Sequence, residues 1–306
     1  MTTDEKLAAI LAAIQTDPGN RGLAELFAYC PGDFAAACRS IAHTPLPLVD
    51  VVTGFIIPSV DPPLFETDGP LGAVFLARAL EPLDFDIHLP SDPGCRASLN
   101  AGLSTSLAPD RIQFEDREVL TFCGPQVRGA SKRSRVFPTH VLALERVGPS
   151  TSSQCYTMRG QDITNLMLRA DQIFTPSAFE PAQPITIGIG DGGNEIGMGK
   201  IPHDIVARTI PNGDLIHCRV PTDHLIVAGV SNWGAYALAA GIYVLRGIQP
   251  PADLFDPDRE REILEVMVKE GPLVDGVTGK QTATVDGLSW DEYAKPLIRL
   301  REILLS

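Results

Sequence analysis

The residues best suited to chemistry cluster between Ile185 and Lys200, where the chain reads ITIGIGDGGNEIGMGK. An alternating apolar run gives way to a glycine-crowded loop whose polar side chains are Asp191, Asn194 and Glu195. A strand that ends in glycines and acids places backbone N–H groups and carboxylates at the carboxyl edge of a sheet, where open α/β sheets bind their ligands. Glycine there lets the backbone approach a ligand closely. Gly188, Gly190 and Gly193 also fit G-x-G-x-x-G, the dinucleotide fingerprint. That fingerprint needs a helix opening at the last glycine and an acid about 20 residues on. Gly197, Gly199 and Pro202 oppose such a helix, and the position for the acid falls near Arg208. A polar small-molecule site is therefore preferred over a nicotinamide site, with a plain glycine turn as the structural alternative.

Further candidates sit at the ends of other apolar runs. Leu48 to Ile57, LVDVVTGFII, is the first strong strand. After a proline loop, Thr67 or Asp68 can cap a helix with Pro70 in its first turn, and such a helix start offers free N–H donors to an anion. Thr139 to Val147 reads as a core strand ending on Glu145 and Arg146, where a carboxylate could do chemistry or form an ion pair. Arg159, beside a glycine in YTMRGQDIT, has the fork geometry to clamp a carboxylate or to form a salt bridge. Leu225 to Val230 reads as a strand, Ser231 to Gly234 as a loop and Ala235 to Leu245 as a buried helix. Ser231 or Asn232 can cap that helix and present a donor to a ligand. Asp223-His224 is an acid-base pair or a structural pair. Arg21 reads as surface or structural, with contact to an anionic ligand as the alternative, and His88 as packed or solvent-facing.

The elements that position these residues follow from pattern. Residues 5–15 are an amphipathic helix, and 22–42 hold one or two short helices broken at Gly32-Asp33. Residues 83–89 alternate as a second strand. Residues 92–135 are least informative: Val119 to Cys123 suggests a short strand, and the basic stretch 128–135 reads as an exposed loop. A short helix is expected over 203–208, a strand over 216–220, a helix over 259–270 and a last helix from Trp290 to Leu304. Alternating strands and helices predict an α/β chain: a Rossmann-like three-layer fold with a mostly parallel sheet and extra N-terminal helices. Residues 1–306 read as one domain, with 1–45 as a helical extension packed on it.

Composition narrows the partners. A formal net charge of −13 argues against nucleic acid and anionic membrane. No apolar run reaches the roughly 18 residues of a spanning helix. The amino terminus lacks the features of a signal or transit peptide. The six cysteines form no C-x-x-C pair, which suits buried thiols in a reducing compartment. The expectation is a cytosolic, cytoplasmic protein with a small-molecule partner.

Five segments together resemble the C-terminal domain of D-glutamate cyclases, a domain long of unknown function. They are TGF at 53–55 with ETDGPLGA at 66–73, YTMRGQDIT at 156–164, IGIGDGGNEIGMGK at 187–200, PTDHLIVAGVSNWGAYALAA at 221–240 and VDGVTG at 274–279. The resemblance implies a lyase, specifically a hydro-lyase, converting D-glutamate to 5-oxo-D-proline with loss of water. In larger eukaryotic relatives this domain follows a hydro-lyase-like domain, and nothing matching that half is located here. A non-catalytic ligand-binding or partner domain is the first alternative, and a nicotinamide oxidoreductase the second. Homo-oligomerisation, or association with a separate hydro-lyase-like protein, fits either of the first two.

Cyclisation needs a general base, fixed donors for an oxyanion and a general acid. Asp191 and Glu195 are the first acid-base candidates; Asp68 and Glu145 come next. Thr53, Gly54, Thr67, Gly69, Arg159, Gly192, Gly193, Asn194, Ser231 and Asn232 are the candidate substrate contacts, with the N–H groups of Gly192 and Gly193 as the oxyanion seat. No metal ligand set is assigned and no cofactor is firmly predicted; a divalent metal is the open alternative, for which Asp68, Glu145, Asp191, Glu195 and Asp223 offer oxygen ligands.

Overall fold

The computed structural model describes residues 1–106, 126–127, 135–175 and 182–306. The suggested strand at 119–123, and all but the last residue of the basic stretch 128–135, lie outside the described residues.

Nine strands are described: β1 (Leu48–Thr53), β2 (Ile56–Ile57), β3 (Leu64–Phe65), β4 (Asp86–His88), β5 (Gln126–Val127), β6 (Arg135–Val136), β7 (His140–Leu144), β8 (Ile185–Gly190) and β9 (His224–Val227). Five of them form one parallel sheet in the order β4-β1-β7-β8-β9, while β2 with β3 and β5 with β6 form two-stranded ribbons. Strand order reverses between β1 and β7, and in such sheets the crevice outside the carboxyl ends at the reversal receives ligands. The register sets what lies there. Thr53 pairs with Leu144, Leu144 with Ile189 and Gly190 with Val227, so Gly54, Glu145, Asp191 and Ala228 leave the sheet side by side.

Both faces are covered, which is why the central strands are largely apolar. Val49, Val51, Leu142, Leu144, Ile187, Ile189 and Ile226 face one core. It is closed by α1 (Thr3–Ile14), α3 (Asp33–His43), α4 (Pro70–Leu80), α8 (Ser231–Arg246), α9 (Pro257–Glu270) and α11 (Lys295–Leu305). Alternate residues Val52, Val141, Ala143, Leu225 and Val227 face a second core. That core lies under the short helices α2 (Ala24–Phe27), α6 (His203–Thr209) and α7 (Gly213–Ile216) and the loops between them. The Rossmann-like three-layer α/β expectation holds. Two further helices are α5 (Pro93–Ser106), packed on α9 and α4, and α10 (Trp290–Tyr293). The sequence reading gave no helix at α5, whose serine- and glycine-rich face carries a weak apolar pattern.

Several boundaries differ from expectation. The run Leu48 to Ile57 breaks at Gly54, whose φ of 105° turns Phe55 out of the sheet; Ile56 and Ile57 pair instead with Leu64 and Phe65. The strand expected over 216–220 is not one: α7 ends at Ile216, and the chain beyond it forms no named strand. The last helix breaks at Ala294 between α10 and α11. Most consequential, α8 starts at Ser231 rather than Ala235, and neither Ser231 nor Asn232 caps it.

The cap comes from another part of the chain. Ser231 N–H donates to Asp68 Oδ2 at 2.9 Å and Asn232 N–H to Asp68 Oδ1 at 2.8 Å. In return, Asn232 Oδ1 accepts from Gly69 N–H and Gly72 N–H, both at 2.8 Å, at the start of α4. Each helix start is thus completed by a side chain from the other. Glycine is required at both receiving positions. Gly69 has φ 92° and a Cβ there would lie 2.6 Å from Thr53 Oγ1; a Cβ on Gly72 would lie 2.8 Å from Asn232 Oδ1.

Asn232→Ala removes two buried caps at once, and is expected to lower the unfolding free energy by about 1–3 kcal/mol, read as a shifted urea midpoint at unchanged slope. His140, buried at the start of β7, gives a second prediction. Burial pushes its pKa down to about 4, against about 6.5 unfolded. Its contribution is present above pH 6.5 and is lost as pH falls from there towards 4. His140→Gln should therefore flatten the acid limb of stability measured by denaturant between those pH values.

Candidate active site

A cavity of about 290 Å³ opens at the carboxyl edge. Arg21, Glu66, Glu145, Asp191, Asn194 and Asp286 form its polar wall, Phe55, Ile57, Met158 and Val277 its apolar wall. Arg159 and Gln161 stand at the exposed rim.

Each polar residue is put there by local structure. Glu145 follows the last residue of β7 with φ 45°, the left-handed region that non-glycine residues rarely enter. Its Oε2 accepts from Ser231 Oγ at 2.6 Å. Neighbouring Arg146 turns the other way, fully buried and paired with Asp92 rather than Glu145. Asp17 holds the turn that delivers Arg21, its carboxylate accepting from the N–H groups of Arg21, Gly22 and Leu23 at 2.8, 2.9 and 3.2 Å. Arg21 then lies between Asp191 Oδ1 at 2.6 Å and Asp286 Oδ2 at 2.5 Å. Asp275 organises the turn-rich VDGVTG segment, accepting from Val277, Thr278 and Gly287 N–H groups, and so holds Val277 and Asp286 at the cavity.

The glycine loop is used differently from the expectation. Glu195, fully buried, folds back so that its Oε1 accepts from Asp191 and Gly192 N–H groups at 2.9 and 2.6 Å, and its Oε2 from Gly193 N–H at 2.7 Å. The N–H groups of Gly192 and Gly193 are therefore engaged by an internal carboxylate, which corrects their assignment as an oxyanion seat. The same contacts, with no helix opening at Gly193, remove the pyrophosphate seat that a nicotinamide reading of this loop needs.

Of the residues picked out from sequence, Glu145, Asp191, Asn194 and Arg159 line the cavity. Asp68, Glu195, Thr53, Gly54, Thr67, Gly69, Ser231 and Asn232 are buried residues around that wall that do not line the cavity. Thr67 Oγ1 donates to Thr284 O at 2.8 Å. Asp223 is not with them: it accepts from Thr186 N–H and Oγ1, both at 2.8 Å, at the amino end of the sheet. Asp223 and His224 are thus excluded from an acid-base role at this cavity, and Asp223 from its ligand set. His88 is half-buried and hydrogen-bonded to Asp50 at 3.0 Å. Arg21, Glu66 and Asp286 were not chosen from sequence. Their one local signal is an acid or base next to a turn or glycine, as in Asp286-Gly287.

Burial dominates the electrostatics. It lifts Asp191 and Asp286 to about 6, against the pull of Arg21. It raises Glu66, Asp68 and Glu145 well above the usual carboxylate range, with neighbouring acids adding to the effect. For Arg21 burial works the other way, but the two flanking carboxylates outweigh it and hold the guanidinium firmly charged. A carboxylate near 6 can take a proton at neutral pH, and one held higher can give one. Two acidic triads share Asp191: Glu145, Asp191 and Glu195, and Asp68, Asp191 and Asp286, each with oxygens within 4.8 Å of one another.

The model of the D-glutamate cyclase-like, C-terminal family matches residues 10–301. The chain belongs to this family. It is 34% identical over 254 residues to a human protein named D-glutamate cyclase, mitochondrial; the match covers 80% of this chain. The chain spans about 40% of the length of that relative. The family resemblance read from the five sequence segments is thereby shown. Three of those segments supply Glu66, Arg159 and Asp191 to the cavity, and VDGVTG supplies Val277. Among the described residues no helix is long and apolar enough to cross a membrane.

Arg21→Met should leave Asp191 and Asp286 buried without their cation, with a loss of about 3–5 kcal/mol in unfolding free energy. Adding Asp286→Asn to that variant should recover part of the loss, read in the same urea titration.

Proposed function

We propose that this chain binds D-glutamate, or a closely similar amino dicarboxylate, in the cavity and closes it to 5-oxo-D-proline with loss of water. The observation that carries this reading is a single cavity wall on which Asp191, held near pKa 6, adjoins acids held well above the usual carboxylate range, in a chain of the D-glutamate cyclase-like family.

The chemistry assigns roles. Asp191 takes a proton from the substrate ammonium, freeing the nitrogen lone pair. The nitrogen bonds to the side-chain carboxyl carbon, and one carbon–oxygen bond breaks. Nitrogen loses two protons in all and the departing oxygen gains two. Glu145 or Glu66 in its protonated form supplies one and is restored by the second nitrogen proton, while Asp191 passes on the first, so that the oxygen leaves as water. No oxidant or reductant enters. Arg159 at the rim suits the α-carboxylate: its Nη2 donates to Val277 O at 3.1 Å and the rest of the fork remains for an anion. Asp68 and Glu195 act as positioning residues, the first through the helix starts and the second through the loop amides. Cytosolic residence remains part of the proposal, supported by the buried, free Cys38, Cys95, Cys155 and Cys218.

A second reading has one fact behind it. Because the chain spans about 40% of its human relative, it could bind the ligand and leave turnover to a hydro-lyase-like partner. Both readings are tested by incubating the purified chain with D- or L-glutamate and quantifying 5-oxoproline by chiral chromatography. Turnover of the D isomer is expected, with Asp191→Asn and Glu66→Gln each lowering kcat by about 10²-fold or more while remaining folded. Calorimetric binding of D-glutamate without product would support the binding-domain reading. Full turnover in both variants would remove the assigned roles.

A further inference from the structure

Six carboxylates meet in and beneath one wall: Glu66, Asp68, Glu145, Asp191, Glu195 and Asp286. Among the described residues, the only cationic side chain paired with any of them is Arg21. Acids alone do not make a site, but a second observation is independent of their number. Asp191 Oδ2 and Asn194 Oδ1 have no hydrogen-bond partner, although the two residues are only 4% and 1% exposed. Buried acceptors are almost always paired. Arg21 Nη1 serves Asp191 Oδ1, Asn194 Nδ2 serves Tyr156 O and Ser231 Oγ serves Glu145. What remains to meet the unpaired acceptors is a bound cation or a proton held between acids, as between Asp191 and Asp68. Both orphan residues line the cavity, and Asp191 is the member common to both triads.

Oxygens within 4.8 Å of one another can reach one hard cation at about 2.0–2.6 Å. No histidine or cysteine belongs to either triad, so the donor set favours Mg²⁺, Mn²⁺ or Ca²⁺ over zinc. The two triads differ in available charge. In the Asp68 triad, two of the three acids already share Arg21. In the Glu145 triad only Asp191 does, and Asn194 adjoins Glu195 in the same loop.

We propose that Asp191 is the central ligand of a divalent-cation site completed by Glu145, Glu195 and the amide oxygen of Asn194. Such an ion brings positive charge to a wall that otherwise repels any carboxylate ligand. The site follows from the arrangement of oxygens, and ion and proton compete for Asp191 and Glu145, so the proton transfers assigned above belong to the ion-free wall.

The test uses the chain stripped with EDTA, with Mn²⁺ as the probe. Free Mn²⁺ is counted by electron paramagnetic resonance, and thermal unfolding is followed in parallel. Saturable binding is expected, with the unfolding midpoint rising by several degrees at saturation. Glu145→Gln and Asn194→Ala should each weaken binding by about 10–100-fold. Asp223→Asn, at the opposite edge of the sheet, should bind as the wild type does. Asn194→Ala changes no charge, and circular dichroism without metal establishes that it folds, so loss of binding there cannot be ascribed to unfolding. If protons rather than a cation neutralise the wall, the stripped wild type will show no saturable Mn²⁺ binding up to millimolar concentration, and the proposal fails. Wild-type affinity in both variants also overturns it. Turnover is not read, so this result and that of the cyclisation assay stand apart.

Discussion

Asp68 and Asn232 exchange helix caps, and the carboxyl edge of the sheet is arranged around that exchange. Two helices that start side by side present their unpaired N–H groups to the same buried region, where water cannot reach them. One carboxylate and one amide, each from the other helix's leading segment, meet four of those groups. The Ser231 and Asn232 amides at the start of α8 draw the Asp68 pKa down against its burial, which still holds it well above the usual carboxylate range. Asp68 in turn contributes to the field that raises Glu66 and Glu145. Gly72 lets the two helix starts approach closely enough for the exchange.

The acids at the cavity work against folding unless each is held. Glu195 is held by three loop amides, Glu145 by the Ser231 hydroxyl, and Asp191 with Asp286 by Arg21. These groups come from the first helical connection, three strand ends and a turn near residue 286. A wall assembled from such distant segments forms only when the whole chain closes. The left-handed φ of Glu145 fits the same picture, since unusual backbone tends to persist where surrounding contacts fix it and a site needs it.

Membership of the D-glutamate cyclase-like family and the physical character of the wall both support the proposal of a small amino dicarboxylate ligand. The cavity combines proton donors and acceptors with a rim arginine. Its apolar side, formed by Phe55, Ile57, Met158 and Val277, restricts water around the acids and so sustains their raised pKa values.

Much of the fold was legible in the residues. The apolar runs at β1, β7, β8 and β9, the helix formers of α1 and the glycine loop are local patterns, and local patterns follow directly from backbone geometry and periodicity. They sufficed to place Glu145, Asp191 and Ser231 at strand ends or helix starts, and the quoted motifs identified the family. Tertiary structure alone decided the partners. Nothing in DPGNRG signals that Arg21 will lie between Asp191 and Asp286, because that pairing joins segments up to 265 residues apart. Nor does GDGGNE show that Glu195 takes the amides of its own loop rather than leaving them to a ligand. The cap of α8 was sought at Ser231 or Asn232 because sequence points to neighbours, whereas in three dimensions the nearest carboxylate came from Asp68. Periodicity fixes which face a residue presents; only chain closure fixes what it meets there.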